Sequence, residues 1–486
     1  MVPGGPAGAG FPESGPHFSN YTAPPSLGEY SGEPSIGVNW KTGNVMFQAN
    51  TETLRVSFND AAGSATWKKV GFPTTSVVTL DPILYTDSVT GQTVVSQLAP
   101  PCTVSAVTPD DGNTWIPSTG CSIPGGADHQ TIGGGPLREG VGVTTTRGIY
   151  YCAQDIVAAT CGVSRDGGVT YGPAVPVYTF TPWGDMQGCG PLHGHVKVAP
   201  DGTAYLPHRT CNAGLGLGQA VFSSDDDGLT WRQHMIPDAT SEDGTSLGSD
   251  PSVAIGADGT VYFAYEDDNG WPKVTVSRDK GKTWTPSFDL GTPSGIRYGV
   301  FPAAVAGDGD RAAVAFLGAR KATSSAHAYQ DAAYDGVWHL YVSYTDDRGA
   351  TWATVDATPT DPVQRGCILI GDSACPPEQR NLLDFMDATV DAAGHVLVGY
   401  ADGCVGPCVA AGPNSRTSIA TIARQTSGAS LSATGHPPAA LDGSAAISGG
   451  EVPSPDRHLQ GVKGQVGAHV IDDLPTHRRA GVQVED

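Results

Sequence analysis

Carboxylates, histidines and arginines recur in this sequence beside the start or the end of short apolar runs. Before such runs stand Glu33, Asp81, Asp128, His193, His195, Asp250, Arg297, Tyr298, Asp384 and Asp387, and after them His208, Arg209, Glu266, Asp267 and Asp402. Arg138 and Glu139 follow another run. A carboxyl in its acid form can donate a proton while one in its base form accepts, and a guanidinium neutralises an anionic group held beside it. Gathered at one place, these types suit acid/base chemistry on an anionic sugar. Each single Asp also fits a structural ring that caps strands and binds water or one cation.

Whether the groups meet depends on the elements that carry them, and those repeat. "VSRDKGKTW" (276–284) recurs as "VTPDDGNTW" (107–115), "VSRDGGVTY" (163–171), "SSDDDGLTW" (223–231) and "YTDDRGATW" (344–352), with a worn copy "VSFNDAAGSATW" at 56–67. In the shared Ser/Thr-x-Asp-x-Gly-x-Thr-Trp core, Asp accepts backbone N–H groups inside a tight turn, Gly supplies positive φ and Trp anchors the hairpin tip. A calcium site at Asp225–Asp227 is the less favoured reading of that acidic turn. Upstream of each copy lie two alternating apolar runs joined by a Gly turn, as in "DPSVAIGADGTVYFAY" (250–265), which read as antiparallel strands. Each unit is therefore four strands, with the Trp turn between strands three and four.

Four-stranded units at this spacing predict an all-β propeller, because each blade buries its faces only against its neighbours. Inner strands start near Glu33, Asp81, Asp128, His193, Asp250, Phe301 and Asp384, so seven blades are the preferred count and six the other. The seventh unit ends in "TSIATIARQTSG" without a Trp turn. Residues 1–29 read as a flexible N-terminal segment, 30–426 as the propeller, and 427–486 as a low-complexity tail or linker. Antiparallel connectivity then puts the three-to-four turns on one face. On the other face lie the entries to strand one and the ends of strand two, which carry the groups named above.

Composition narrows the partners. Gly (65) and Pro (38) make up about a fifth of the chain, as many short strands and turns require. The net charge of −22 repels nucleic acid and anionic membranes, and no apolar run is long enough to cross a bilayer. Ten cysteines form sequence-near pairs: Cys102/Cys121, Cys152/Cys161, Cys189/Cys211, Cys367/Cys375 and Cys404/Cys408. No Cys/His spacing matches a zinc site, so five disulfides and an extracellular or periplasmic location are expected, with a secretion signal already removed. All ten positions fall on the face opposite the Trp turns. The chain is expected to be a monomer, to need no cofactor and to tolerate one structural Ca²⁺.

The repeated core is the Asp-box, or BNR repeat, and over about 30–426 the chain resembles the sialidase (neuraminidase) superfamily of β-propellers. That resemblance implies a secreted glycoside hydrolase of the exo-α-sialidase type, with the box on the face away from the active site. It further implies an arginine triad, a tyrosine nucleophile with a glutamate partner and an aspartate acid/base. Matched by role and face, these become Arg138, Arg209 and Arg297, then Tyr298 with Glu266, and Asp250. The Phe/Tyr-Arg-Ile-Pro opening of sialidases is missing, since the first blade reads "SGEPSIGVN"; "GIRYGVFP" (295–302) is a late echo. Propeller lyases offer a second reading. There, His193 or His208 with Tyr298 and Arg209 would cleave a uronate glycan by β-elimination. A secreted binding propeller without turnover is the third.

Overall fold

A computed structural model of the chain describes residues 15–432 apart from 73–79, 100–101, 119–127, 139–145, 156, 183, 185, 191, 214–215, 242–247, 324–327, 369 and 371–374. Cys121, Glu139, the side chain of Cys102 and the tail beyond residue 432 lie outside the described residues.

The alternating runs form seven antiparallel sheets of four strands, a seven-bladed propeller. The innermost strands of blades 1 to 7 are Ser35–Val38, Leu80–Thr86, Asp128–Pro136, Lys197–Val198, Ser252–Ile255, Tyr298–Ala306 and Asp387–Val390. Blade 6 carries an additional two-residue strand, Gln364–Arg365. The core lies between blades. In one junction, Phe47, Leu54 and Trp67 of blade 1 pack with Leu397 and Ile422 of blade 7.

Blade 7 explains its own missing Trp turn. Its order is His17–Thr22, Ile419–Ser427, Val396–Asp402 and Asp387–Val390, so the outermost strand comes from the N-terminus. No hairpin links strands three and four there, and a box that closes that hairpin has no place. The closing strand lies inside the 1–29 stretch that the sequence sets apart from the propeller.

The five good boxes share one local network. In the fourth-strand turn of blade 5, Gly281 N–H donates to Ser277 Oγ (2.8 Å), while Asp279 accepts from Thr283 N–H (2.8 Å) and Thr283 Oγ1–H (2.6 Å). Gly281 sits at φ +85°, where a side chain is disfavoured. Trp284 meets the Phe263 ring edge-on at 5.9 Å. In the worn first copy the turn becomes a single 3₁₀ turn, with the Asn59 side chain accepting from Ala62 N–H.

These turns make the fold acid-sensitive. Hydrogen bonds from Thr283 hold the Asp279 carboxyl below its ordinary range. Asp110, Asp166, Asp226 and Asp347 are also lowered: their partial burial pulls upward, and bonds from the matching threonine outweigh it. A depressed folded pKa gives stability that is present above the unfolded value of about 3.9 and is lost as pH falls through the folded one. The thermal midpoint is expected to drop progressively below about pH 4. An Asp279→Asn variant should show a shallower drop when both are melted between pH 5 and 2.5.

Four disulfides form as the sequence implied: Cys152–Cys161, Cys189–Cys211, Cys367–Cys375 and Cys404–Cys408. All lie at blade entries or two-to-three connections, opposite the boxes, and such bonds persist in an oxidising compartment. Among the described residues no helix is long and apolar enough to cross a membrane.

Candidate functional site

The blade entries converge on the axis at the face opposite the boxes. Aligned by blade, six of them read Glu33-Pro34, Asp81-Pro82, His129-Gln130, His193-Gly194, Asp250-Pro251 and Phe301-Pro302. Glu33, Asp81, His129 and Phe301 have φ of +57°, +45°, +47° and +57°. The inner strands of blades 2, 3 and 6 also break register at this point. Left-handed backbone is costly for residues with a Cβ and persists where surroundings hold it, commonly at functional sites. Gly194 is required by close approach, since a Cβ there would lie 2.0 Å from the Pro251 carbonyl oxygen of blade 5.

At the centre, His129 Nδ1 lies 3.2 Å from Asp250 Oδ2, with both residues buried. Burial by itself would lower His129, but the Asp250 carboxylate raises it to about 10. Burial likewise opposes ionisation of Asp250, and His129 and then Arg209 bring it down to about 2. Asp81 accepts the backbone N–H of His129 at 2.7 Å, and Asp128 accepts it at 3.1 Å. Burial, opposed by His129 and reinforced by Asp128, pushes Asp81 up to about 6. Burial and the nearby Asp81 and Asp384 carboxylates push Glu33 well above its ordinary value. Arg380 lies beside this group, paired through both guanidinium arms with Asp384.

The other expected site residues are placed as follows. Arg209 donates to the Gly248 carbonyl (2.6 Å) and stands 3.9 Å from Asp250 Oδ1. His193 gives Nδ1 to the Gly194 carbonyl (3.0 Å), leaving Nε2 buried without a hydrogen-bond partner. Burial, with His129 adding to it, lowers His193 to about 4. His208 has both nitrogens engaged by backbone: Nδ1 accepts from Thr210 N–H (2.9 Å) and Nε2 faces the Gly190 carbonyl (2.8 Å). Glu266 accepts from Ser249 N–H (2.9 Å) and Oγ–H (3.0 Å), and from the hydroxyl of Tyr329 (2.5 Å). The Tyr298 hydroxyl bonds Thr323 Oγ1 (2.7 Å), and its ring lies against Tyr329 at 5.3 Å. Arg297 is half-buried just before the inner strand of blade 6.

Arg138 departs from the expected arrangement. It follows the far end of the blade 3 inner strand, its N–H donates to Asp227 of a box turn (2.9 Å), and its guanidinium lies 4.0 Å from Asp201. That is the box face, so it does not join Arg209 and Arg297.

Below the mouth the axis is bridged. Lys197 Nζ and His195 Nδ1 lie 3.8 Å and 3.9 Å from Asp387 Oδ1, while Oδ2 accepts from Ser35 Oγ–H at 3.0 Å. Burial opposes the charge on Asp387, and Lys197 and His195 hold its carboxyl well below the usual range. On the box side of this bridge the inner strands line an open cavity of about 200 Å³, with Val38, Ile255 and Val390 in its wall.

His129, Arg380 and Tyr329 belong to the site although no role was read for them in the sequence. His129 had a signal, because aligning the six blade entries puts it, and not Asp128, in register with Asp81 and Asp250. Arg380 and Tyr329 stand in connections that share no pattern with other blades.

No family model matches the chain, and no curated protein matches it. Solved structures match at low identity. The Hadza microbial sialidase Hz136 is 16% identical, covering 82% of this chain and 66% of its own, with a TM-score of 0.37. An α-L-arabinanase of Penicillium chrysogenum is 16% identical, covering 62% of this chain and 94% of its own, with a TM-score of 0.41. The polysaccharide lyase PL25, an ulvan lyase, is 12% identical, covering 83% of this chain and 95% of its own, with a TM-score of 0.45.

Proposed function

We propose that the chain is a secreted glycoside hydrolase acting on an anionic glycan, with Asp81 as general acid and Asp250 as its ionised partner. One arrangement carries the reading: His129 gives its backbone N–H to Asp81 (2.7 Å) and Asp128 (3.1 Å) and sets its ring against Asp250 (3.2 Å), so that burial and Asp128 push Asp81 up to about 6 while His129 and Arg209 bring Asp250 down to about 2. Such a divergence separates acid from base in a pair of carboxyls. Asp81 delivers its proton to the glycosidic oxygen as the C–O bond breaks. The Asp250 carboxylate stabilises the positive charge that develops on the sugar and accepts the proton of the water that replaces the leaving group. Arg209 and Arg380 supply cations for the anionic substituent. The roles of Asp81 and Asp250 thus differ from the sequence-based assignment, in which Asp250 was the acid.

The sialoside form of this reading draws on the Glu266–Tyr329 hydrogen bond, a carboxylate set against a phenol as a tyrosine nucleophile requires. It has two of the three assigned arginines, because Arg138 is on the other face. The lyase reading draws on His193, whose Nε2 is unprotonated and unpartnered beside the cationic His129.

The test is incubation with sialosides and uronate polysaccharides, following reducing ends and ultraviolet absorbance together. Reducing sugar without absorbance is expected, with the rate falling about tenfold per pH unit above roughly 6 as Asp81 loses its proton. Growing absorbance would move the chemistry to His193. Silence in both, from a folded sample, would leave a binding propeller.

A further inference from the structure

Tyr30 is an exposed tyrosine in an unfavourable backbone conformation. Its φ is +58°, a region that bulky residues seldom occupy, and 76% of its surface is open. Burial does not explain it, yet its backbone is held firmly. Glu29 bridges Ile419, Ser31 N–H donates to the Ser418 carbonyl (2.9 Å) and Ala420 N–H to the Gly28 carbonyl (2.8 Å). Glycine would meet the same geometry without strain.

Its surroundings face the mouth. Three residues on, Glu33 opens blade 1, so the backbones of the two residues lie at most about 11 Å apart, and the Glu33 carboxyl lies under the influence of Asp81 and Arg380. Between them, Gly32 packs so tightly on Leu383 and the Asn381 carbonyl that a Cβ there would lie 2.6 Å from Leu383. Arg416, two residues before Ser418, is about half exposed and paired with Glu378 at 2.8 Å. Glu33, Leu383 and Arg416 are themselves left-handed, at +57°, +59° and +55°. Four strained non-glycine residues are thus gathered where blade 7 meets blade 1, on the mouth side.

We infer that this junction is a glycan subsite in which Tyr30 is the stacking platform for a sugar ring bound next to the acid/base pair. The inference rests on the hydrolase reading and extends it to an oligosaccharide. The apolar face of a pyranose lies flat on an aromatic ring, and an amphipathic tyrosine, with only two χ angles and here on a held backbone, gives contact area at little entropic cost. The Arg416–Glu378 pair offers a donor and an acceptor to ring hydroxyls at the same rim. Strain kept on an exposed aromatic is what a binding role leaves behind, since stability alone selects against it.

The test measures calorimetric affinity for a uronate hexasaccharide and for glucuronic acid with the full chain and with Tyr30→Phe, Tyr30→Ala and Tyr30→Gly, beside each thermal midpoint. Tyr30→Phe should bind the hexasaccharide like the unaltered chain, while Tyr30→Ala and Tyr30→Gly should lose about tenfold. The loss should be smaller for the monosaccharide, and Tyr30→Gly should melt no lower than the unaltered chain. Hexasaccharide binding unchanged in Tyr30→Ala would overturn the platform alone. Failure of the unaltered chain to bind either sugar would remove the glycan reading, and the platform with it.

Discussion

Asp250→Asn is expected to slow turnover by about a thousandfold or more and to lower stability at the same time. The catalytic loss follows from removing the ionised member of the acid/base pair, a contribution typically worth about 10²–10⁴ in rate. The stability loss has a separate origin. His129 is buried and cationic because Asp250 lies 3.2 Å from it, and breaking such a pair from one side costs about 3–5 kcal/mol. The pH dependence distinguishes the pair from a merely structural contact. His129 has a raised folded pKa, so its contribution is full below about 6.5 and is lost as pH rises toward 10. Asp250 has a lowered one, so its contribution is present above about 3.9 and is lost as pH falls toward 2. The unaltered chain should therefore gain most over the variant between those limits, and the two melting curves should approach each other at either extreme. Melting and rate profiles of both proteins check this. A variant that keeps its midpoint and turns over within tenfold of the unaltered chain would place the chemistry elsewhere.

Removal of residues 1–24 is expected to abolish cooperative unfolding. The strand His17–Thr22 pairs residue by residue with Ile419–Ser427, and without it blade 7 ends in an open edge. More than backbone pairing is lost. Tyr21 packs against Phe58 of blade 1 at 4.9 Å, Asn20 Nδ2–H donates to the Ala357 carbonyl (2.8 Å), and Tyr400 O–H donates to Asn20 (3.1 Å). With each hydrogen bond worth about 1 kcal/mol net, plus the buried ring, the loss approaches the whole margin of about 5–15 kcal/mol on which a folded domain stands. The exposed edge also invites pairing with another copy. Size-exclusion chromatography and thermal melts of the truncated chain should show aggregation and a lost or broadened transition, and a synthetic 15–24 peptide should restore part of it. A truncated monomer melting within a few degrees of the full chain would mean that the ring does not depend on this strand.

What the sequence determined is whatever short-range chemistry controls. Each box is written within nine residues, because Ser, Asp, Gly and Thr bond to their own turn and need nothing from elsewhere. Five such turns marked four-stranded units, and their spacing favoured seven blades over six, the count that the structure has. The four observed disulfides were legible for the same reason, with partners 4 to 22 residues apart.

What only the tertiary structure decided depends on ring closure and on register. The N-terminal strand could not be assigned to blade 7 from its own residues, since its partners lie at the other end of the chain. At the blade 3 entry Asp128 does stand beside Asp81, and a register break between Asp128 and Thr131 brings the neighbouring His129 to the centre with it, a contact that the alignment of entries hinted at and the fold made. Arg138 went to the box face because the blade 3 inner strand runs through to Pro136 and delivers it there. The proton affinities of Asp81, Asp250 and His129 were invisible in the sequence. They are set by desolvation and by charges brought together from different blades, as Asp387 meets Ser35 from 352 residues away. Local bonds write the blades, and the closed ring decides which charged groups share a dry space.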